Sequence, residues 1–158
     1  MSRIHYNDDI SLESLVERSD LIVIATKNDQ FVKTKKKSIG LIYKPFTFIQ
    51  HCYKVDEVQY GDTKFLNKNI KVSDAEWETQ LKIYKSYVID KMSRSPVYER
   101  YLTSCELDKE NKVILFLSHS KKNKFSYRYL FSYESIKKLS EVKTIIKKNK
   151  LKLNNESF

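Results

Sequence analysis

The sequence predicts a single α+β domain built on a five-stranded β-barrel with three helices. Two short runs are apolar throughout, one long run alternates between apolar and polar positions, and a capped helix separates the third strand from the last two. The chain has 158 residues, 41% of them hydrophobic, which suffices for one core. With only 2 Gly and 2 Pro, it is expected to be mostly regular structure. We expect residues 1–153 to form the domain and residues 154–158 a frayed tail.

The N-terminal part is predicted to hold a short helix, a central strand and a basic loop. Leu12, Leu15 and Val16 share one helical face behind the N-cap residue Ser11, which predicts a helix over 11–19. Residues 21–25 are continuously aliphatic, as in a strand that is buried on both faces. Residues 33–40 have no apolar period and end in a glycine, which predicts a loop.

A long strand over residues 46–60 is predicted by its period-two alternation, and a strand of this length bends as a barrel requires. Gly61 and Asp62 then form a turn, and residues 69–72 form the third strand. The positions of the long strand that we expect in the core are Thr47, Ile49, Tyr53 and Val55.

A helix inserted at about 74–91 follows the third strand. Ser73 and Glu76 match a capping box, and Trp77 and Leu81 lie on its apolar stripe, where we expect them to close one end of the barrel. The helix is expected to stop before Pro96, and residues 97–106 are expected to be extended.

The last hairpin joins a buried strand over 113–117 to an aromatic-rich strand over 125–133. Large aromatic residues at alternate positions usually mark the core side, so we expect them inside, with Ser126, Arg128 and Ser132 pointing outwards. A C-terminal helix at about 133–149 completes the domain. The aromatic residues of the strand are Phe125, Tyr127, Tyr129, Phe131 and Tyr133.

Five strands with a helix before the final hairpin is the element order of an OB-fold barrel. Residues 11–24, 53–62, 70–72 and 113–117 carry a resemblance to small bacterial OB-like barrel proteins that are distantly similar to the netrin-like domain of tissue inhibitors of metalloproteinases. The resemblance spans about half of the chain and implies a binding or inhibitory module without a catalytic site. We do not expect this chain to have the secretion signal and disulfides that are usual in that group.

Enzymatic chemistry is not indicated by any motif in the chain. The glycine-rich phosphate-binding motifs are missing, so we expect neither a catalytic site nor a cofactor. His5, His51 and His119 lie far apart without acidic or cysteine neighbours at ligand spacing, and no metal site is expected. Cys52 and Cys105 leave a disulfide open, but the polar, acidic N-terminus predicts a cytoplasmic protein with reduced thiols.

The net charge of +10 is concentrated in two segments, +5 over residues 33–44 and +9 over residues 119–152. The first segment is predicted to join strands one and two and the second to include the loop between strands four and five, and in an OB-fold these loops flank the binding face. We expect this surface, extended by the C-terminal helix, to bind a partner. Its residues are Lys33, Lys35, Lys36, Lys37, Lys121, Lys122, Lys124 and Arg128.

Two functions fit this charge. The first is a cytoplasmic immunity-type inhibitor that masks an acidic protein partner, such as a toxin domain, since opposite charge speeds encounter and suppresses wrong partners. The second is a single-stranded nucleic-acid-binding protein, which needs exposed aromatic side chains on which bases stack. We favour the first, because buried aromatics offer no stacking surface and because lysine richness also arises from AT-rich genomes. The oligomeric state stays open.

Overall fold

The computed structural model describes residues 9–37, 46–73, 97–98, 109–120, 124–129 and 132–156. The strands are β1 (Asp9–Ile10), β2 (Leu21–Lys37), β3 (Phe46–Tyr60), β4 (Asn69–Ser73), β5 (Val97–Tyr98), β6 (Lys112–His119), β7 (Phe125–Tyr127) and β8 (Tyr133–Ser135). The helices are α1 (Leu12–Arg18) and α2 (Leu139–Glu156), and short 3-10 turns cover Thr63–Phe65 and Ile136–Lys138.

Five strands close into a barrel in the order β2, β3, β4, β7, β6 and back to β2. The β4–β7 pairing is parallel and the other four are antiparallel, so the barrel is mixed. β8 adds to the edge of β6, and β1 pairs with β5 in a separate parallel pair. This topology confirms the predicted OB-like barrel with helices added at its N- and C-termini.

The aliphatic runs of β2 and β6 contribute side chains to two hydrophobic cores. Alternate residues of both strands, such as Val23 and Leu115, face a cluster inside the barrel, together with Tyr53 and Val55 of β3. The intervening residues Ile22, Ile114 and Phe116 face a second cluster on the outer surface of the same strands, and α1 and α2 cover it. Two-sided burial explains why these strands lack polar alternation.

The two helices pack against each other over the outer cluster. Ser11 caps α1 by accepting the Ser14 amide hydrogen at 3.1 Å, as its sequence predicts. Leu15 of α1 and Val142 of α2 are fully buried. Among the described residues, no helix combines the length and the apolar character needed to cross a membrane.

The predicted turn after β3 depends on Gly61. This residue has a φ of +105°, and a Cβ atom there would lie 2.8 Å from both the Asp20 carbonyl oxygen and the Leu21 Cδ1. A side chain is therefore excluded both by backbone conformation and by the close approach of the chain that enters β2.

The predicted loop at residues 33–40 is wrong over its first five residues. β2 continues to Lys37, and residues 32–37 pair one for one with residues 46–51 of β3. Residues 38–45 lie outside the described part. The lysine-rich segment adopts a strand because β3 supplies a complete pairing partner, which local hydrophobic periodicity does not reveal.

The single strand predicted over 125–133 is divided into β7 and β8 by a bend. The bend is fixed by Ser132, whose hydroxyl accepts the Tyr129 amide hydrogen and donates to the Phe116 carbonyl oxygen, both at 3.1 Å. Ser126 alternates with the inward-facing Phe125 and Tyr127, as predicted, but both Ser126 and Ser132 are buried rather than exposed to solvent. Each β-strand segment pairs with β6 separately, Tyr127 opposite Leu117 and Tyr133 opposite Leu115.

The C-terminal helix starts later and ends later than predicted. Residues 133–135 belong to β8, a 3-10 turn follows, and α2 then runs from Leu139 to Glu156. The predicted helix at 74–91, with Trp77 and Leu81, lies outside the described residues. The same holds for Phe131 and for residues 99–106, and the side chains of Thr47 and Ile49 are likewise not described.

Replacing Leu115 with alanine is expected to lower the free energy of unfolding by about 2–5 kcal/mol, because the side chain is fully buried and its truncation leaves a cavity in the core. Leu151→Ala is the matched control, since that leucine is 58% exposed and its truncation is expected to cost less than about 0.5 kcal/mol. Chemical denaturation measures both. Equal losses in the two variants would contradict the assigned core.

Candidate partner-binding surface

The barrel wall extends into a two-stranded arm, which we define as residues 32–37 of β2 and 46–51 of β3. From Leu21 to Thr26, β2 pairs with β6 on one edge and with β3 on the other. The Lys27 amide still donates to the Asn111 carbonyl oxygen at 2.8 Å. Beyond that point, β3 is the only strand with which β2 pairs in the described part of the chain.

An irregular segment of β2 marks the base of the arm. The pairing register jumps between Lys27, opposite Tyr53, and Val32, opposite His51. Phe31 lies in this segment, and its ring packs 4.9 Å from the His51 ring and 5.2 Å from the Tyr53 ring, measured between centroids. The Lys27 Nζ atom lies 5.1 Å from the Phe31 centroid. These contacts anchor the arm to the barrel interior.

Four of the predicted binding residues lie in the arm. In the backbone register, Lys33 pairs with Gln50, Lys35 with Phe48, Lys36 with Thr47 and Lys37 with Phe46. The structure therefore brings these lysines together on a regular strand pair, where sequence reasoning placed them on a loop. A strand pair fixes the spacing of successive residues at about 3.3 Å, which a loop does not.

The predicted lysines of the β6–β7 hairpin are only partly described. Lys124 is exposed, and its backbone closes the turn by accepting the Ser120 amide hydrogen at 2.9 Å. Lys121 and Lys122 lie outside the described residues. Lys124 thus contributes an accessible positive charge at the hairpin, which is the position predicted for it.

Arg128 is engaged within its own chain. Its Nε atom donates to the Arg18 carbonyl oxygen at 2.8 Å, and its guanidinium group lies 4.6 Å from the centroid of the Tyr129 ring. Arg18 in turn donates to the Tyr129 hydroxyl at 3.2 Å. The half-buried Arg128 therefore ties the bend after β7 to the end of α1.

Two exposed lysines that sequence reasoning missed lie on neighbouring strands of the barrel. Lys54 of β3 and Lys71 of β4 are both exposed, and the register pairs them with Asn69 and Cys52 respectively. They are diagonal neighbours on the pair that corresponds to strands two and three of an OB-fold, whose face binds ligands in that fold. The alternation of β3 indicates that Lys54 is exposed, because Lys54 falls between the inward-facing Tyr53 and Val55.

The aromatic residues of β7 lie inside the barrel. Tyr127 is 4% exposed, and its hydroxyl forms a hydrogen bond of 2.6 Å with the buried hydroxyl of Tyr53. Phe125 is also buried, stacked on His119 at 4.7 Å and edge-on to Phe65 at 5.0 Å. The predicted burial of Tyr127 is confirmed, while Tyr129 is partly buried against the outer cluster.

The histidine and cysteine side chains, which could serve in catalysis or metal binding, have structural roles where they are described. The rings of His51 and His119 pack within aromatic clusters, and Cys52 is a buried free thiol. His5 and Cys105 lie outside the described residues. In the part of the chain that the structure covers, no three His, Cys, Asp or Glu side chains are grouped so as to hold a metal ion.

Comparison with known proteins gave no match, whether with family models, with curated protein sequences or with solved structures.

The contacts of Arg128 predict a structural effect of its removal. Arg128→Ala is expected to lower the free energy of unfolding by about 1 kcal/mol or more, because it removes a hydrogen bond and a cation–π contact. The exposed Lys124 provides the control, since Lys124→Ala keeps its backbone hydrogen bond and is expected to change stability by less than about 0.5 kcal/mol. If thermal and chemical denaturation showed no difference between the variants, Arg128 would not be holding the bend.

Proposed function

We propose that this chain is a non-catalytic protein-binding module that binds an acidic protein surface through its arm. In its most concrete form, the proposal is a cytoplasmic immunity-type inhibitor that masks a toxin domain. The observation that carries it is the pairing of residues 32–37 with β3, because this pairing holds four lysines on a fixed framework that projects past β6.

Fixed charge favours recognition of a protein partner. Positive groups spaced along a strand present a pattern of charge that a complementary set of carboxylates matches. Such a pattern speeds association with an acidic partner and disfavours binding of basic proteins. Lysine is a compact, strongly hydrated charge, whereas arginine is the usual residue for planar, bidentate contacts to phosphate. Only 5 of the 30 basic residues are arginine, which favours an acidic protein over nucleic acid.

The exposed lysines on the barrel wall enlarge this basic surface. Lys54 lies on β3, the strand that pairs with residues 32–37 in the arm, and Lys71 lies on the adjacent β4. A partner that contacts the arm and the wall together would bury a larger area than the arm alone offers, as a specific complex requires. An inhibitor acts by occlusion, so this surface needs no catalytic group.

One observation favours single-stranded nucleic acid as a second candidate. The register places Phe48 opposite Lys35 and Phe46 opposite Lys37, so the arm interleaves aromatic and basic positions. Single-strand binders combine such positions, with bases stacking on the rings. The burial of Phe125 and Tyr127 weighs against this candidate, because it removes the aromatic residues of β7 from any stacking surface.

The arm is tested by charge reversal at Lys35, Lys36 and Lys37 together. We expect the reversed protein to lose protection of cells against the toxic product of a reading frame adjacent to its own, and to associate with that product at least about tenfold more slowly. The matched control reverses Lys64, Lys68 and Lys109, which are exposed, lie outside the arm, the barrel-wall pair and the C-terminal helix, and give the same change in net charge. Loss of binding in both variants alike would show that overall charge, and not the arm, is used.

A salt series separates the two candidate functions. Labelled single-stranded DNA and RNA are expected to bind only at low salt. Without stacking on aromatic rings, the affinity comes from the attraction between lysines and phosphates, which falls steeply as the salt concentration rises. Fluorescence anisotropy measures this. Tight binding that persists at about 0.15 M ionic strength and is lost in a Phe46→Ala, Phe48→Ala double variant would overturn the protein-binding proposal in favour of nucleic acid.

A further inference from the structure

Among the described residues, the outer edge of the arm has no paired strand. β3 occupies one edge of residues 32–37, and β6 pairs with β2 only as far as Thr26. Within the described part of the chain, no strand occupies the other edge of this segment. An edge of this kind presents alternate backbone amide and carbonyl groups that an added strand can pair with.

The lysines restrict what that added strand can be. Lysine on an edge strand disfavours pairing with another neutral or basic strand, and proteins use it in this way to prevent aggregation. The same charges favour a strand that carries carboxylates at alternate positions, since opposite charges on neighbouring strands stabilise the pair. Lys33, Lys35 and Lys37 recur with period two in the sequence, which matches such an alternation.

We propose that the edge of residues 32–37 binds an extended acidic segment of the partner protein by β-augmentation, as an additional strand next to β2. This inference rests on the proposed function and specifies how the acidic partner is held. The segment would span about six residues, or roughly 20 Å at the rise of a β-strand. Main-chain hydrogen bonds would supply the affinity and the alternating carboxylates the specificity.

A second copy of the chain is disfavoured as the occupant. Edge-to-edge pairing of two arms would bring residues 33–37 of one copy beside the same residues of the other, with four lysines on each strand. Like charges on directly opposed strands destabilise the pair. The arm is therefore selective for a strand of the opposite charge.

The probe is a blocked peptide of about seven residues in which glutamate alternates with threonine and valine, titrated into the whole protein and followed by NMR. We expect shifts of the backbone amides of residues 32–37 and slower hydrogen exchange at alternate amides of this segment, since the open edge becomes paired. The control peptide has the same sequence and charge but a methyl group on every backbone nitrogen. It is expected to bind at least about tenfold more weakly, because it has no amide hydrogen to donate.

The outcomes separate the inference from the proposed function. Equal affinity of the two peptides, with loss of both in the Lys35, Lys36 and Lys37 charge-reversal variant, would leave acidic binding in place and overturn β-augmentation. Absence of any shift at residues 32–37 with either peptide would overturn the proposed function and the inference together. Pairing of the arms of two copies, seen as a concentration-dependent dimer without peptide, would also overturn the inference.

Discussion

The whole structure depends on the double pairing of β2 in the barrel wall. Between Leu21 and Thr26 this strand contacts β3 on one edge and β6 on the other, which closes the barrel. The same residues also bury side chains on both faces, in the barrel core and under the two helices. Loss of this segment would therefore open the barrel and uncover α1 and α2 at once. The chain enters this segment past Gly61, where a Cβ atom would lie 2.8 Å from the Asp20 carbonyl oxygen.

The proposed binding segment begins where this double pairing ends. After Lys27, β2 leaves β6, passes the irregular segment around Phe31 and continues as one strand of the arm. At this point the sequence changes from an aliphatic run to a lysine-rich one. β2 and β3 both continue from the barrel into the arm, so the barrel wall positions the base of the basic segment.

Sequence patterns predicted the parts of the fold in which burial is two-sided or strictly alternating. Residues 21–25 and 113–117 were identified because continuous burial leaves a continuous apolar run. Residues 33–37 were not recognised as a strand, since their pairing comes from β3 and leaves no hydrophobic period. The bend that divides residues 125–133 was missed because it depends on Ser132 bonding to the distant Phe116 carbonyl oxygen. The alternation of β3 indicates that Lys54 is exposed, but its proximity to Lys71 depends on the strand order, which no local pattern supplies.

The proposed binding surface depends on the lysine-rich segment being a strand that is held by β3. Amide hydrogen exchange of the free protein, followed by NMR, tests this claim residue by residue. We expect the alternate amides of residues 32–37 that face β3 to exchange markedly more slowly than those of an unstructured peptide, though faster than the doubly paired amides of residues 21–26. Exchange at unstructured rates throughout residues 32–37, beside protected residues 21–26, would contradict the account.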